Sequence, residues 1–473
     1  MIVGRKKEQQ LLLSLTEREE PQFCVVYGRR RVGKTYLVRE TFNYRFSFMH
    51  TGVARGTYRQ QLSAWRDSLR QAGMAKCTLP RTWFEAFEML KELICQMPQG
   101  KKVLYIDELP WMDTPKANLI SALELFWNGW ATARAEKDIV LIVCGSATSW
   151  ITKKLLKNKG GLRGRLTEKL MLHPFTLLEC EQYAQAQGLS LARRDILETY
   201  MILGGIPYYW SFLRRGNSVA QNVDALFFAE DAPLRDEFEA LYHVLFRNPG
   251  NYMKVIDVLA KRKMGSTRDE ILRQSRLEDG GTFTTVLEEL EQCGFIRRYV
   301  PIAGKEQGVL FQLIDNYTLF YYHCIKKNAF GDEQYWQHTC KTPEHNTWVG
   351  LAFERVCLQH LGQIKQALGI SGVVSNVCSW RTEANADHPG AQIDLLIARG
   401  DNVINLCEMK YSAGKYVVSK SLIDDIESKL RIFRQVNKVE SAVHLTLVTT
   451  NGIDHSEYWN SVQKEVTLED LFS

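Results

Sequence analysis

A glycine-rich segment near the start of the chain constrains the fold more than any other feature. Gly28 to Thr35 reads G-R-R-R-V-G-K-T and fits the pattern G-x-x-x-x-G-K-[ST]. It follows the short apolar run Phe23 to Tyr27, which is typical of a buried strand, and it precedes a predicted helix from Tyr36 to Phe42. This order predicts a loop whose backbone N–H groups bind phosphate oxygens at the start of a helix.

The phosphate-binding loop predicts a nucleotide with a magnesium ion. Lys34 is expected to neutralise the β- and γ-phosphates, and the Thr35 hydroxyl is expected to coordinate Mg²⁺. We therefore predict ATP and Mg²⁺ as cofactors. The predicted cofactor-binding residues of the loop are Gly28, Arg29, Arg30, Arg31, Val32, Gly33, Lys34 and Thr35.

Two further strand ends carry polar side chains. Lys102 to Ile106 reads as a buried strand and is followed by Asp107 and Glu108, a pair that looks like a Walker B motif. Asp107 is predicted to hold Mg²⁺, and Glu108 to polarise the attacking water. A third strand, Ile139 to Cys144, leads to Ser146, which would either reach the γ-phosphate or the water as a catalytic side chain, or be a simple turn serine.

Strands that alternate with helical stretches predict an α/β fold with a parallel sheet between covering helices. In such sheets the ligand lies at the carboxyl ends of the strands. The glycine-rich loop, the Asp107-Glu108 pair and Ser146 all follow strand ends, so we expect them to share one site.

Several segments resemble the archaeal-type AAA-like ATPases of the STAND branch of P-loop NTPases. Gly4 and Arg5, with Glu8, resemble the family's opening G-R-x-x-E, which implies that Gly4 and Arg5 line an adenine pocket. The glycine-rich loop with its arginines, Asp107 to Trp111, and Gly145-Ser146 resemble the family's other motifs.

Two later motifs extend this resemblance. Gly161 to Thr167 is similar to the family's G-R-x-T segment and places Arg165 on the family arginine, with Arg163 beside it. The resemblance implies that either arginine is a catalytic finger or γ-phosphate sensor, and a plain surface arginine remains the alternative. Pro207, after two glycines, resembles the proline of the family's helical lid, which packs near the nucleotide; a helix–helix turn is the alternative.

The middle of the chain predicts a helical lid and then a winged helix-turn-helix. Apolar residues recur at helical spacing from about 174 to 248, and Pro233 is expected to split the last long stretch. Three predicted helices and a hairpin across Ala303 to Gly308 follow, the order of a winged helix. Its third helix carries three glutamates, which repel phosphate and argue against insertion into a DNA groove. The alternatives are sequence-specific DNA reading and an inter-domain or regulatory role. Basic residues lie elsewhere in this segment, at Lys261, Arg262, Lys263, Arg297, Arg298 and Lys305.

The last part of the chain contains a predicted hairpin that carries charged residues. Ala391 to Ile397 and Val403 to Lys410 read as strands joined by a turn. Asp394 and Glu408 suit an oxygen-ligand Mg²⁺ site, and Lys410 lies on the same strand face as Glu408.

These residues resemble the D…E-x-K core of PD-(D/E)xK nucleases. The resemblance implies a restriction-endonuclease-like α/β domain in which Asp394, Glu408 and Lys410 are catalytic, with Glu354 on the preceding helix as a further metal ligand. The residue before Asp394 is isoleucine rather than the family's proline. An ATPase followed by a nuclease-like domain is also an architecture of the archaeal-type ATPase family.

Composition excludes several other classes of protein. Of the 473 residues, 45% are hydrophobic and 24% charged, which is typical of a globular chain and excludes a disordered one. No apolar run approaches the roughly 18 residues of a membrane-spanning helix, and the eleven cysteines form no C-x-x-C pair. We therefore expect reduced thiols, no membrane partner and a cytoplasmic location. The net charge of +6 is compatible with nucleic acid but is too small to argue for it.

The combined prediction is an α/β multidomain protein with four parts: an ATPase core at 1–173, a helical lid at 174–248, a winged helix at 249–315 and a nuclease-like domain at 316–473. Nucleotide state would switch cleavage of nucleic acid, most readily DNA, and family analogy suggests defence against phages or mobile elements. A homo-oligomer or a protein trigger would fit such a switch. The alternatives are a regulatory ATPase whose nuclease-like domain only binds DNA or protein, and a DNA-binding regulator whose oligomeric state is set by ATP.

Overall fold

The chain divides into two compact units, Met1–Pro174 and Phe175–Ser473. The computed structural model describes residues 2–158, 160–246, 248–299, 309–328, 331–340, 342–386 and 388–473. The division falls one residue after the end predicted for the ATPase core. The boundaries predicted at 248 and 315 lie inside the second unit and stay predictions.

The first unit is built on a five-stranded sheet with the order β2-β3-β4-β1-β5. All four strand pairings are parallel, as predicted for an α/β fold. The three predicted strands form β1, β3 and β4, while the two outer strands are short and were not predicted. The strands are β1 (Gln22–Tyr27), β2 (Phe48–Thr51), β3 (Lys102–Asp107), β4 (Ile139–Gly145) and β5 (Glu168–Met171).

Helices connect the parallel strands of this sheet. They are α1 (Lys6–Glu17), α2 (Lys34–Thr41), α3 (Tyr58–Gln71), α4 (Trp83–Cys95), α5 (Leu109–Met112), α6 (Leu119–Phe126) and α7 (Thr148–Ile151). Short π-helical segments follow α6 and α7. Every residue of β3 and β4 is buried, and an aromatic group from α3 and α4 that includes Trp65, Trp83 and Phe87 belongs to the same core. This burial explains why both strands read as continuous apolar runs.

The second unit begins with five helices. They are α8 (Leu177–Ala186), α9 (Arg193–Leu203), α10 (Pro207–Trp210), α11 (Val219–Phe227) and α12 (Glu237–Leu245). Pro233 lies between α11 and α12, so the predicted split is confirmed. Gly205 sits where a Cβ atom would lie 1.9 Å from the Phe175 carbonyl oxygen, which requires glycine at this bend.

Residues 249–313 form a group that we call the helix-and-hairpin module. Its elements are α13 (Pro249–Ala260), β6 (Ser266–Thr267), α14 (Arg268–Ser275), α15 (Gly281–Gln292), β7 (Ile296–Tyr299) and β8 (Leu310–Leu313). The strands pair antiparallel in the order β6-β8-β7. Thr267 and Glu270 form a capping box at the start of α14. The predicted turn from Ala303 to Gly308, with Lys305, lies outside the described residues.

Four helices follow the module, and the last two of them belong to the final domain: α16 (Asn316–His323), α17 (Tyr335–Thr339), α18 (Pro343–Gln359) and α19 (Leu361–Ala367). Helix α18, which carries Glu354, begins at Pro343. The Thr342 side chain accepts a hydrogen bond from the His345 backbone N–H, and Pro343 suits the first turn, so the start signal lies before the apolar positions.

The C-terminal sheet domain, residues 343–473, contains a second five-stranded sheet with the order β15-β13-β11-β10-β9. The elements after α19 are β9 (Ser375–Thr382), β10 (Ala391–Arg399), β11 (Val403–Lys410), β12 (Tyr416–Val417), α20 (Lys420–Asn437), β13 (Ala442–Thr449), β14 (Ile453–Asp454) and β15 (Lys464–Val466). Strands β9, β10 and β11 pair antiparallel, and β11, β13 and β15 pair parallel. The predicted hairpin of β10 and β11 is confirmed, with Asn402 in the left-handed region at φ 62°.

Two general predictions can be compared with the described residues. None of their helices is long and apolar enough to cross a membrane. All eleven cysteines lie in the described residues as thiols outside any disulfide, and nine of them are buried.

Candidate functional site

The glycine-rich loop joins β1 to α2 and is held by two unusual backbone positions. Gly28 has φ 140°, and a Cβ atom there would lie 2.3 Å from the Leu172 carbonyl oxygen. Gly33, with φ 90°, is the residue before α2. Both positions require glycine, because a side chain would either clash or strain the backbone. The loop therefore brings the N-terminus of α2 to the carboxyl end of β1, as predicted.

Lys34 lies inside this loop. Its side chain is buried, and its ammonium donates hydrogen bonds to the carbonyl oxygens of Gly28 at 3.0 Å and Arg29 at 2.8 Å. These carbonyls supply hydrogen-bond acceptors to the buried ammonium. A phosphate group that reached the loop would offer the ammonium a stronger, charged partner.

The structure brings Thr35 of α2 and Asp107 of β3 together. The Thr35 hydroxyl donates to Asp107 Oδ2 at 2.9 Å, and Arg39 Nη2 lies 3.8 Å from the same oxygen. Asp107 is buried at the end of β3. A hydroxyl and a carboxylate at this distance are oxygen donors that fit Mg²⁺.

Glu108 is oriented by Ser146. Glu108 Oε2 accepts hydrogen bonds from the Ser146 backbone N–H at 3.1 Å and from its hydroxyl at 3.0 Å. Glu108 has a left-handed backbone at φ 46°, a strained conformation for a residue with a side chain. Burial raises the pKa of its carboxyl, while the Lys34 charge opposes that rise. The carboxylate is thus fixed next to the lysine of the loop.

Ser146 directly follows β4, which lies between β1 and β3 in the sheet. Its position explains why three strand ends contribute to one group of side chains. The contact with Glu108 shows that Ser146 belongs to this group. Whether it also meets a phosphate or a water stays a prediction.

The N-terminal segment is anchored within the first unit. Gly4 and Arg5 both have left-handed backbones, and the buried Arg5 side chain donates to the His173 carbonyl oxygen at 2.5 Å. Arg5 also lies 3.5 Å from Glu8, the third residue of the opening motif. The role of Gly4 and Arg5 in binding adenine stays a prediction.

Three other predicted residues are not drawn into this group by any described contact. Arg163 and Arg165 are exposed, in a segment between α7 and β5. Pro207 begins α10 in the second unit. Their predicted roles at the nucleotide stay predictions.

The second predicted site lies on β10 and β11 of the C-terminal sheet domain. The paired stretch of β10 and β11 ends at Leu395 and Cys407, and Asp394 and Glu408 are the next residues beyond it. Glu408 is buried, and one of its oxygens lies 2.7 Å from the Lys410 ammonium. Asp394 lies within β10 rather than at its start, where the pairing with β9 is irregular between Ile393 and Leu396.

Glu354 on α18 joins Asp394 through a residue that the sequence did not single out for this site. The Lys263 ammonium lies 2.8 Å from Glu354 Oε1 and 3.4 Å from Asp394 Oδ2. Burial, with the Asp394 charge second, raises the pKa of Glu354 to about 7, although Lys263 opposes the rise. Lys263 was predicted only as one of several basic residues of the winged helix, and no local pattern pointed to this contact.

The three predicted metal ligands are therefore not gathered around one point. The described residues contain no group of three His, Cys, Asp or Glu side chains placed to hold one metal ion. Glu354 and Asp394 share Lys263, and Glu408 holds Lys410. The oxygen donors are of the type that Mg²⁺ requires, but this arrangement neutralises them with lysines.

The basic residues of the helix-and-hairpin module are not one surface. Arg297 is drawn inward: its guanidinium bonds to Gln312 and to the Leu358 carbonyl oxygen, and it stacks over Tyr299 at 4.0 Å. Burial lowers its pKa well below the usual value. Lys261, Arg262 and Arg298 are exposed. Arg297 is thus a structural link between β7 and α18 rather than part of a nucleic-acid surface.

Comparisons with known proteins agree with the geometry of the first unit. Residues 2–212 match a family model described as an ATPase domain predominantly from Archaea. An uncharacterized protein of Methanocaldococcus jannaschii, MJECL04, is 24% identical over 419 residues, which cover 85% of each chain. Residues 2–212 are therefore similar to an archaeal-type ATPase domain.

The chain also matches solved structures, of which three archaeal examples follow. The Walker-type ATPase of Pyrococcus abyssi is 17% identical, with a TM-score of 0.48, over 67% of this chain and 95% of that one. The ORC2 protein of Aeropyrum pernix is 12% identical, with a TM-score of 0.43, over 76% and 96%. A STAND protein with a tetratricopeptide repeat sensor, from Pyrococcus horikoshii, is 15% identical, with a TM-score of 0.30, over 78% and 48%.

Proposed function

We propose that the first unit binds ATP with Mg²⁺ and hydrolyses it. The observation that carries this proposal is the meeting of Thr35, Asp107, Glu108 and Ser146 beside Lys34 at the carboxyl ends of three strands. Lys34 and the loop N–H groups would bind the β- and γ-phosphates, while Thr35 and Asp107 would hold Mg²⁺, which supplies charge neutralisation. Glu108 would accept the proton of the attacking water.

Each charged group has a defined part in this reaction. Burial favours a protonated Glu108, and the nearby Lys34 ammonium favours the ionised form that a general base needs. The two hydrogen bonds from Ser146 fix the direction of the carboxylate. Arg165 remains our candidate for the arginine that stabilises the transferring phosphoryl group.

Phosphate release from ATP by the purified protein tests this proposal. We expect hydrolysis with Mg²⁺ and none after chelation of the metal by EDTA. Absence of both ATP binding and hydrolysis in a folded protein would contradict the assignment.

For the second unit we propose a switch-controlled nuclease-like activity on nucleic acid, most readily DNA. The supporting observation is that Asp394 and Glu408 lie on neighbouring paired strands, with Lys410 beside Glu408, while Glu354 and Asp394 share Lys263. Carboxylates that gather a metal ion next to a lysine suit phosphodiester hydrolysis. Defence against phages or mobile elements would fit a nuclease held under nucleotide control.

A specific observation favours a second candidate, a silent domain that binds DNA or protein. The lysines neutralise the carboxylates, and the described residues lack a three-ligand metal group. The helix-and-hairpin module, which we assign as a winged helix, would then provide the binding surface.

Nicking of supercoiled plasmid with Mg²⁺ or Mn²⁺ separates these two candidates. We expect Asp394→Asn to abolish nicking and to leave ATP hydrolysis near the parent rate, because the two sites lie in different units. Glu440→Gln, an exposed residue of the same domain, is the matched control. Metal-dependent DNA binding without nicking would favour the silent domain.

A further inference from the structure

Lys263 makes an unusual contact with the C-terminal sheet domain. It lies in the loop between α13 and β6 of the helix-and-hairpin module, yet its ammonium lies between Glu354 of α18 and Asp394 of β10. The distances to the two carboxylates are 2.8 Å and 3.4 Å. One cation thus bridges two acidic residues that come from separate elements.

The backbone of Lys263 is fixed on both sides. Its carbonyl oxygen accepts a hydrogen bond from Gln312 Nε2 at 2.8 Å and another from the guanidinium of Arg355. Arg355 is buried and follows Glu354 on α18. Arg355 therefore binds the Lys263 carbonyl oxygen, and the preceding residue of α18, Glu354, binds the Lys263 ammonium. Lys263 is thus held through both its backbone and its side chain.

The carboxylates need a cation at this position. Glu354 is buried, and the charge on Asp394 adds to the cost of ionising it. The neighbouring charges are Lys263, Arg355 and, further along β11, Lys410. Of these, Lys263 is the cation that pairs directly with both carboxylates in the described structure.

A second ion pair supports the same contact between the module and the sheet domain. Arg381 of β9 lies 2.7 Å from Glu270, the residue that caps α14. Ion pairs at two places therefore hold the module against the sheet domain, and those of Lys263 cover Glu354 and Asp394.

We propose that Lys263 occupies the cation position of the Glu354–Asp394 pair and competes with a divalent metal ion for it. This inference rests on the proposed metal use of the C-terminal sheet domain. A metal ion and an ammonium cannot share the same two oxygens, because their charges repel at such short separation. Metal binding at these two oxygens therefore requires the Lys263 ammonium to leave this position, which removes one of the contacts that dock the helix-and-hairpin module.

Titration with Mn²⁺ in the absence of nucleotide tests the competition. We compare the parent with Lys263→Met, which keeps an apolar stem but removes the charge, and record heat by calorimetry. An Asp394→Asn form of each protein defines the binding that depends on the acidic pair. Lys263→Met is expected to tighten this binding about tenfold or more, because the competing cation is gone.

The matched control is Lys261→Met. Lys261 lies two residues away and pairs with Asp257, 2.6 Å distant, in the same module. The Lys261→Met protein should bind Mn²⁺ like the parent. Equal Asp394-dependent affinity in the parent and in Lys263→Met would overturn the competition but leave the proposed metal site intact. Absence of Asp394-dependent binding in every variant would instead overturn the metal site, and the inference with it.

Hydrogen exchange gives a second readout that does not depend on a variant. Because linkage is reciprocal, a metal ion that displaces Lys263 must weaken the docking of the module. Mn²⁺ should therefore speed amide exchange in α14 of the parent, and Asp394→Asn should remove the effect. Unchanged or slower exchange in α14 while Mn²⁺ occupies the Asp394-dependent site would contradict the proposal.

Discussion

At the scale of single residues, both candidate sites hold charges that the chain itself stabilises. The Lys34 ammonium donates hydrogen bonds to two carbonyl oxygens of its own loop, and the Glu354 carboxylate pairs with the Lys263 ammonium. Such groups are costly to bury unless a partner is present. In both sites a ligand would replace an internal partner, so binding is an exchange of contacts rather than the filling of an empty space.

Lys34→Ala should remove ATP binding. The substitution deletes the buried ammonium that is expected to face the β- and γ-phosphates, so the triphosphate loses its main counter-charge. Fluorescent-ATP titration should show affinity lower by about a hundredfold or more. Lys137→Ala, at an exposed lysine that pairs with Glu20, is the control and should bind like the parent. Undiminished binding by Lys34→Ala would place the nucleotide elsewhere.

Glu108→Gln should separate binding from hydrolysis. Glutamine can still accept the Ser146 hydrogen bonds but cannot take a proton from water, so ATP should bind normally. We expect the single-turnover rate to fall about a hundredfold or more, the usual effect of losing a general base. Glu88→Gln, an exposed residue of α4, is the control. Parent-like hydrolysis by Glu108→Gln would rule out Glu108 as the base.

At the scale of elements, the sequence predicts what is determined locally. The strand, loop and helix around Gly28 to Thr35 follow from a continuous apolar run, two required glycines and a helix start within one short segment. The hairpin of β10 and β11 is local in the same sense. Outer strand β5 alternates between half-buried and exposed residues, so its sequence carries no strong apolar signal.

Contacts between distant elements could not be predicted in this way. Lys263 and Asp394 are separated by 131 residues, and their meeting depends on how the module packs against α18 and β10. Arg297 likewise reads as a surface base, yet packing turns it inward to Leu358. The sequence therefore indicated the residue types of the second site but not the partners that neutralise them.

The contact between α8 and α18 gives a prediction about pH. The Leu177 backbone N–H donates to His360 Nε2 at 3.1 Å, so Nδ1 carries the proton that bonds to the Val356 carbonyl oxygen at 2.8 Å. Burial lowers the pKa of His360 from 6.5 to about 4. Between these values the unfolded chain binds a proton that the folded chain excludes, so stability should fall as pH drops from 6.5 towards 4.

His360 should lower the free energy of unfolding by up to about 3 kcal/mol at the acidic end of this window. Denaturant-induced unfolding of the second unit, monitored by hydrogen exchange at pH 7 and at pH 4.5, measures this loss of stability. His360→Gln should show a smaller loss of stability on acidification than the parent. His455→Gln is the control, and an identical loss for the parent and His360→Gln would contradict the assignment.

At the scale of the whole molecule, the two candidate sites lie in different compact units. A two-state switch between them requires ATP to bind one arrangement more tightly, and a change from 1:99 to 99:1 needs about 5.5 kcal/mol. Such a switch would act on the contact of Lys263 with Glu354 and Asp394, because releasing the module would make both carboxylates accessible to a metal ion. Independent units joined only by the chain would show no such coupling.

The plasmid-cleavage rate of Lys34→Ala against the parent, at saturating Mn²⁺ and ATP, tests nucleotide control most directly. We expect ATP-dependent cleavage by the parent, and a cleavage rate at least about tenfold lower for Lys34→Ala. That loss should appear although Asp394, Glu408 and Lys410 are unchanged. Equal cleavage rates for the two proteins, with and without ATP, would contradict nucleotide control of the second unit.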